Sequence, residues 1–131
     1  MLKEYVPRLK ENLLLRPEIS FAYLHGSFLD EGLPFHDIDV AIYLVPERTE
    51  EIDVFDCEME LSVELTRLLC FPVDVHVLNG APLGFQHSVL QGELLFARDE
   101  DFLADFIEKV SLEYMEFAYL GRLYLREVLS P

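Results

Sequence analysis

Asp37 and Asp39 stand one residue apart at the head of an apolar run, Ile38 to Leu44. Side chains in a strand alternate between faces, so the two carboxylates share one face, with Ala41 and Tyr43. Ile38, Val40 and Ile42 point the other way, into a core. Two adjacent carboxylates repel each other unless something offsets the charge. A divalent cation does this, and oxygen ligands suit Mg²⁺ or Mn²⁺. Upstream, Gly26-Ser27 closes a second apolar run, Ile19 to Leu24. Backbone N–H groups at such a turn, beside a small hydroxyl, are suited to holding phosphate. Asp-x-Asp alone is commonly a solvated strand end, and Gly-Ser alone is commonly a turn. In the order strand, Gly-Ser, loop, Asp-x-Asp, strand, they set a phosphate cradle beside a metal site, which is far more specific.

A third carboxylate comes from Pro72-Val73-Asp74-Val75-His76-Val77. Here Val73, Val75 and Val77 face one way, and Asp74 and His76 the other. If this strand pairs with the strand at 38 to 44, Asp74 joins the face that carries Asp37 and Asp39. His25, before the Gly-Ser turn, and His36, before Asp37, are the nearby imidazoles. A packed histidine and an exposed loop histidine are their ordinary explanations.

The elements that position these groups follow from periodicity and breakers. Residues 3 to 15 read as a helix with Leu9 and Leu13 buried and Pro7 in its first turns. Arg16-Pro17 ends it. Strands follow at 19 to 24 and 38 to 44, separated by a loop at 28 to 36 in which Gly32 and Pro34 fit an irregular path. Thr49 is the expected cap of a helix running to about Cys70, with Glu50, Glu51 and Asp53 suiting its N-terminus. Ile52, Phe55, Met59, Val63 and Cys70 trace its apolar stripe. A strand at 73 to 77, a helix at 82 to 90, a short strand at 93 to 97 and a helix from about Asp99 to residue 129 complete the chain. In that last helix Phe102, Phe106, Val110, Tyr114, Phe117, Gly121, Leu125 and Val128 form a stripe. Leu112, Met115, Tyr119, Leu120, Leu123 and Tyr124 lie outside it. Residues 112 to 125 are too apolar all round for a lone surface helix, so they are enclosed by the fold or meet another chain.

The run 19 to 45 resembles the nucleotidyltransferase superfamily that includes DNA polymerase beta. It is most similar to the minimal nucleotidyltransferases, the MNT or MntA-like antitoxins often encoded beside a HEPN-domain partner. The resemblance extends through Pro72-Val73-Asp74-Val75, Gln91 to Asp99 and the long C-terminal helix. It implies a polymerase-beta-like palm: one α/β domain over residues 1 to 131, with a small mixed sheet and flanking helices. It also implies two-metal transfer of AMP from ATP to a hydroxyl, a tyrosine of a HEPN toxin. In that scheme Asp37, Asp39 and Asp74 hold Mg²⁺ or Mn²⁺, and Gly26 and Ser27 hold phosphates. One departure stands out. Where the family often has an arginine after Gly-Ser, this chain has Phe28-Leu29-Asp30-Glu31.

Composition narrows the partners. The 131 residues carry a net charge of −15, from 25 acidic and 10 basic residues. Nucleic-acid binding relies on Lys and Arg against phosphates, so this balance argues against DNA or RNA. It suits a basic protein partner, and it leaves room for a nucleotide whose charge a metal neutralises. Cys57 and Cys70 lie thirteen residues apart on one expected helix, about 20 Å and too far for a disulfide. The N-terminus lacks the apolar region of a signal peptide, and no run approaches a membrane span, which points to the cytoplasm. Two rival classes remain: an antitoxin that acts by contact alone, and an adenylyltransferase of small molecules such as aminoglycosides. The acidic loop favours the first. The second requires a roomy acidic pocket.

Overall fold

The structure, a computed structural model, describes residues 2–26 and 37–130. Expectations for Ser27, for the loop at 28 to 36 and for His36 lie outside the described residues. Helix α1 (Leu2–Leu14) leads into strand β1 (Ile19–His25), and β2 (Ile38–Leu44) follows. After the short helix α2 (Pro46–Thr49) come α3 (Val54–Leu69), β3 (Val73–Val77), α4 (Leu83–Leu90), β4 (Glu93–Ala97) and α5 (Glu100–Leu129).

The sheet order is β3-β2-β1-β4. β1 runs antiparallel to β2 and to β4, while β2 and β3 are parallel, so the sheet is mixed. A parallel pair needs a crossover rather than a tight turn, and α3 supplies it. Ile38, Val40 and Ile42 face α1 and α3, where they pack with Leu9, Leu13 and Leu65. The opposite face carries Phe21, Tyr23 and Ala41, covered by Val89 of α4 and Leu103 of α5. Phe21 stacks on Tyr43 at 5.2 Å, and Phe106 meets Tyr43 at 5.0 Å. Helices therefore cover both faces of the sheet.

Two side chains pin the sheet's far end. Asn79 Oδ1 accepts from the Leu44 N–H at 2.8 Å and its Nδ2 donates to the Leu44 carbonyl at 2.9 Å. Arg98 donates to the carbonyls of Ile19, Leu14 and Arg16, at 2.7, 2.7 and 2.9 Å. It thereby satisfies the end of α1 and ties it to the start of β1.

Edge strand β3 needs protection on its open side. A column of polar residues on α3 provides it. Glu58 Oε2 accepts from Val77 N–H at 2.8 Å, Ser62 Oγ from Val75 N–H at 2.9 Å and Thr66 Oγ1 from Val73 N–H at 3.0 Å. Spaced four apart, these residues lie on one helix face, matching every second residue of the strand.

Two sequence expectations for this helix are corrected. Asp53, not Thr49, caps it, with Asp53 Oδ1 accepting from Asp56 N–H at 3.1 Å; Thr49 ends α2 instead. The buried stripe is Leu61, Leu65 and Leu69, whereas Phe55, Met59 and Val63 are exposed and Cys70 is the exposed, left-handed residue past the helix end. Polar residues facing β3 displace the apolar stripe that periodicity alone selects.

Helix α5 starts with Asp99 Oδ1 accepting from Phe102 N–H. Its first half is anchored by Leu103 and Val110. The stacked pair His87–Tyr114, 3.7 Å between ring centroids, ties it to α4. Beyond that pair Met115, Phe117, Tyr119, Leu120, Tyr124 and Leu125 are exposed. The apolar stretch is thus not enclosed by the described chain. Among the described residues no helix is long and apolar enough to cross a membrane.

The polar column predicts a measurable cost. Ser62→Ala strands the half-buried Val75 N–H, and losing such a partner costs about 1–3 kcal/mol. Urea denaturation of Ser62→Ala is expected to show a lowered midpoint with unchanged slope. A midpoint equal to wild type means that β3 does not depend on the column.

Candidate active site

Asp39 and Asp74 are brought together by strand register. β2 and β3 pair in parallel with Asp39 beside Asp74 and Ala41 beside His76. On the other side of β2, His25 of β1 lies opposite Asp39. One row across three strands therefore reads His25, Asp39, Asp74, on the face that α4 and α5 cover farther along. Each of these residues alternates with a core residue, so burial of Leu24, Val40 and Val75 on the opposite face fixes which way the row points.

The ligand atoms of Asp39, Asp74 and His76 all lie within 4.8 Å of one another. His76 Nε2 stands 2.9 Å from Asp74 Oδ2, and His76 Nδ1 stands 4.0 Å from Glu58 Oε2. Asp74 is about half exposed, at 52% of its side chain. Asp37, the residue before β2, stays outside this group, although its charge reaches Asp39. Two carboxylate oxygens and an imidazole nitrogen are a donor set that fits a divalent cation. Sequence reasoning placed His76 on the Asp74 face without counting it in the site. The i, i+2 spacing that put Asp74 there applies equally to His76.

Gly26 turns the chain at the end of β1 with φ +82°, a left-handed conformation that favours glycine. A Cβ at this position would also press into the Asp39 carboxylate. The turn thus brings bare backbone against the Asp39 carboxylate. Ser27 lies outside the described residues.

The imidazoles are packed as well as polar. The His25 and His76 rings are 6.1 Å apart, and Phe85 of α4 meets each of them edge-on at 5.6 Å. His25 Nε2 is buried with no hydrogen-bond partner among the described residues. Burial lowers the His25 pKa, the His76 charge lowers it further and Asp74 opposes the shift. Asp39 moves the opposite way: burial raises its pKa first, then the negative charges of Asp37 and Asp74, with His76 offsetting part.

An acidic cleft of about 440 Å³, lined by residues including Glu18, Glu51, Asp53 and Asp56, opens elsewhere. It adjoins Glu18, whose carbonyl accepts from Val45 N–H past the end of β2. Asp39 is at the start of that strand, so this cleft does not give the carboxylates a pocket for a polycation.

Comparison with known proteins agrees with this geometry. The family model described as polymerase beta, nucleotidyltransferase matches residues 8–101. The chain belongs to that family and is a nucleotidyltransferase by it. No curated protein sequence matches the chain. Among solved structures, one similar chain comes from tri-AMPylated Shewanella oneidensis HEPN toxin in complex with MNT antitoxin. It is 22% identical with a TM-score of 0.65, covering 94% of this chain and 98% of that one. Another comes from a toxin–antitoxin complex with AMP-PNP, at 20% identity and TM-score 0.69, covering 99% and 100%. A third, from an MntA–HepT toxin–antitoxin complex, has 21% identity and TM-score 0.65, covering 94% and 99%. At these identities the likeness establishes a shared fold.

The raised Asp39 pKa has a stability consequence. The fold disfavours the ionised form, so the penalty grows as pH rises through the ordinary carboxylate range near ~4 and is complete above the folded pKa. Without divalent ions, Asp39→Asn is expected to melt higher than wild type at pH 7. The gap is expected to close as pH falls toward ~4. Thermal denaturation across pH with a chelator present checks this; a gap that widens on acidification contradicts it.

Proposed function

We propose that the chain transfers AMP from ATP to a hydroxyl, and that the acceptor is a tyrosine of a HEPN-domain toxin, so that the protein serves as an antitoxin. The observation that carries this reading is the in-register convergence of Asp39 and Asp74 beside the glycine turn that ends β1. Support for the acceptor comes from the similar complexes, one with an AMPylated HEPN toxin and one with AMP-PNP. A cytoplasmic setting accompanies ATP as the donor.

In the reaction the acceptor oxygen attacks the α-phosphorus of ATP. The bond from the α-phosphorus to the bridging oxygen breaks, pyrophosphate leaves with that electron pair and the hydroxyl proton passes to water. Asp37, Asp39 and Asp74 would hold Mg²⁺ or Mn²⁺, which neutralises phosphate charge and lowers the pKa of a bound hydroxyl. Gly26 and Ser27 would receive the β and γ phosphates, the glycine because its missing Cβ permits close backbone approach. Asp74, the more exposed of the paired strand carboxylates, would be the one an incoming acceptor reaches, and Asp39, partly buried between β1 and β3, the one nearer the phosphates.

The outer half of α5 is the natural partner contact. Its exposed Leu112, Tyr119, Leu120 and Tyr124 form a mixture of aromatic and aliphatic groups that interfaces favour. A HEPN toxin or a second copy of this chain would cover it. One feature favours antitoxin action by contact alone: Asp30 and Glu31 stand where a phosphate-binding arginine is common in the family.

Intact mass spectrometry of a HEPN partner with protein, ATP and Mg²⁺ separates the two. Wild type is expected to add AMP mass to a tyrosine. Asp74→Asn is expected to keep partner binding and lose transfer by at least ~10²-fold, the scale of removed proton-transfer assistance. Silencing of the partner with no mass change establishes contact-only action.

The α5 assignment is tested separately. Tyr119→Glu and Leu123→Glu are expected to keep their circular dichroism while losing self-association or toxin binding in sedimentation. Gross unfolding of both variants means that the stretch is intrachain core after all.

A further inference from the structure

We propose that His76 is itself a metal ligand, so that Asp39, Asp74 and His76 form a mixed oxygen–nitrogen site that prefers a first-row transition ion such as Mn²⁺ over Mg²⁺. The proposal deepens the nucleotidyltransferase reading, on which it rests for the presence of a divalent ion.

Three observations carry it. First, the ligand atoms of these residues lie within 4.8 Å of one another, whereas Asp37 is outside the group. Second, strand register sets His76 beside Ala41 and Asp74 beside Asp39, so the imidazole shares the carboxylate face and has a small neighbour across the strand pair. Third, the ring is held from behind. Phe85 and His25 pack against it at 5.6 and 6.1 Å. Glu58 places Oε2 4.0 Å from Nδ1, and that oxygen is anchored by the Val77 N–H at 2.8 Å.

A negative charge beside the far nitrogen of a metal-binding imidazole favours the tautomer protonated there, and Glu58 stands 4.0 Å from Nδ1 without a hydrogen bond. Nε2 is then the atom presented beside Asp74 Oδ2, at 2.9 Å. A cation between Asp39 and Asp74 meets that nitrogen lone pair as a third ligand. Mg²⁺ dehydrates reluctantly and keeps oxygen ligands, while first-row transition ions gain from an imidazole nitrogen, Mn²⁺ the least of them and so the stringent probe. The nitrogen thus sets metal preference, which carboxylates alone do not.

The test uses the full chain and metal alone. Pulsed electron paramagnetic resonance of Mn²⁺ added to wild type is expected to show hyperfine coupling from a directly bound nitrogen, lost in His76→Ala. Calorimetric titration is expected to show Mn²⁺ affinity falling about tenfold or more in His76→Ala and by a smaller factor in Glu58→Gln. Mg²⁺ affinity is expected to stay within about threefold of wild type in both. Bound Mn²⁺ with no nitrogen coupling in wild type overturns the proposal, and that measurement needs no variant to fold. Equal losses of Mn²⁺ and Mg²⁺ affinity in a folded His76→Ala also overturn it. AMP transfer without nitrogen coupling sinks this proposal and leaves the reaction intact. Nitrogen coupling without AMP transfer does the reverse.

Discussion

Strand β3 is paired on one side only, yet it carries Asp74 and His76. The N–H groups of Val73, Val75 and Val77 on its open side would be satisfied by water, or by another strand, in an unprotected edge. Thr66, Ser62 and Glu58 take them instead, one helix turn apart for every second strand residue. This contact fixes the height of β3 against α3 and hence its register against β2. Register decides whether Asp74 faces Asp39 or the core, because a slip of one residue inverts every side chain. The chemistry on one face is thus held by a polar column on the strand's outer edge. The same column ends in Glu58, which faces His76 Nδ1.

Much of this was legible in the sequence where alternation and breakers agree. Strands 38 to 44 and 73 to 77 were readable to the residue because each alternates cleanly and is bracketed by Pro46 or Pro72. The pairing of Asp39 with Asp74 was only conditional from spacing, since parallel pairing is a non-local fact. The face of α3 was misread for a physical reason. That helix carries two apolar stripes, and the one that periodicity selected, Phe55, Met59 and Val63, faces solvent. Ser62 and Thr66 look like surface residues in sequence, but they hold backbone groups of β3 next to the core. Asp53 outcompetes Thr49 as cap because the chain first makes the separate turn α2. His76 was visible on the Asp74 face, yet its grouping with Asp39 depends on the pairing of β2 with β3, which is non-local.

Electrostatics tie the site to its surroundings. The chain holds 25 acidic residues against 10 basic ones, so anionic ligands approach against the overall field. Locally, Asp39 is pushed toward its neutral form by burial and by two neighbouring carboxylates. A cation there would relieve both problems at once, favouring the ionised carboxylate and screening an arriving phosphate. For the proposed transfer, the acidic surface would make a metal more necessary to nucleotide binding than it is in a basic palm.

The remaining link runs through the helical layer over the site. Phe85 of α4 walls His25 and His76, and α4 is joined to α5 by the His87–Tyr114 stack. The root of α5 packs through Phe102 and Phe106 on Tyr43, two strand residues beyond Ala41 on the carboxylate face. Past Tyr114 the apolar residues are distributed round the helix, so one flat surface cannot cover them. A partner covering that overhang would have to contact it from more than one side. The overhang is thus continuous, through Tyr114, His87 and Phe85, with the helical layer that walls the carboxylates, so a partner seated on it would share that layer with the site.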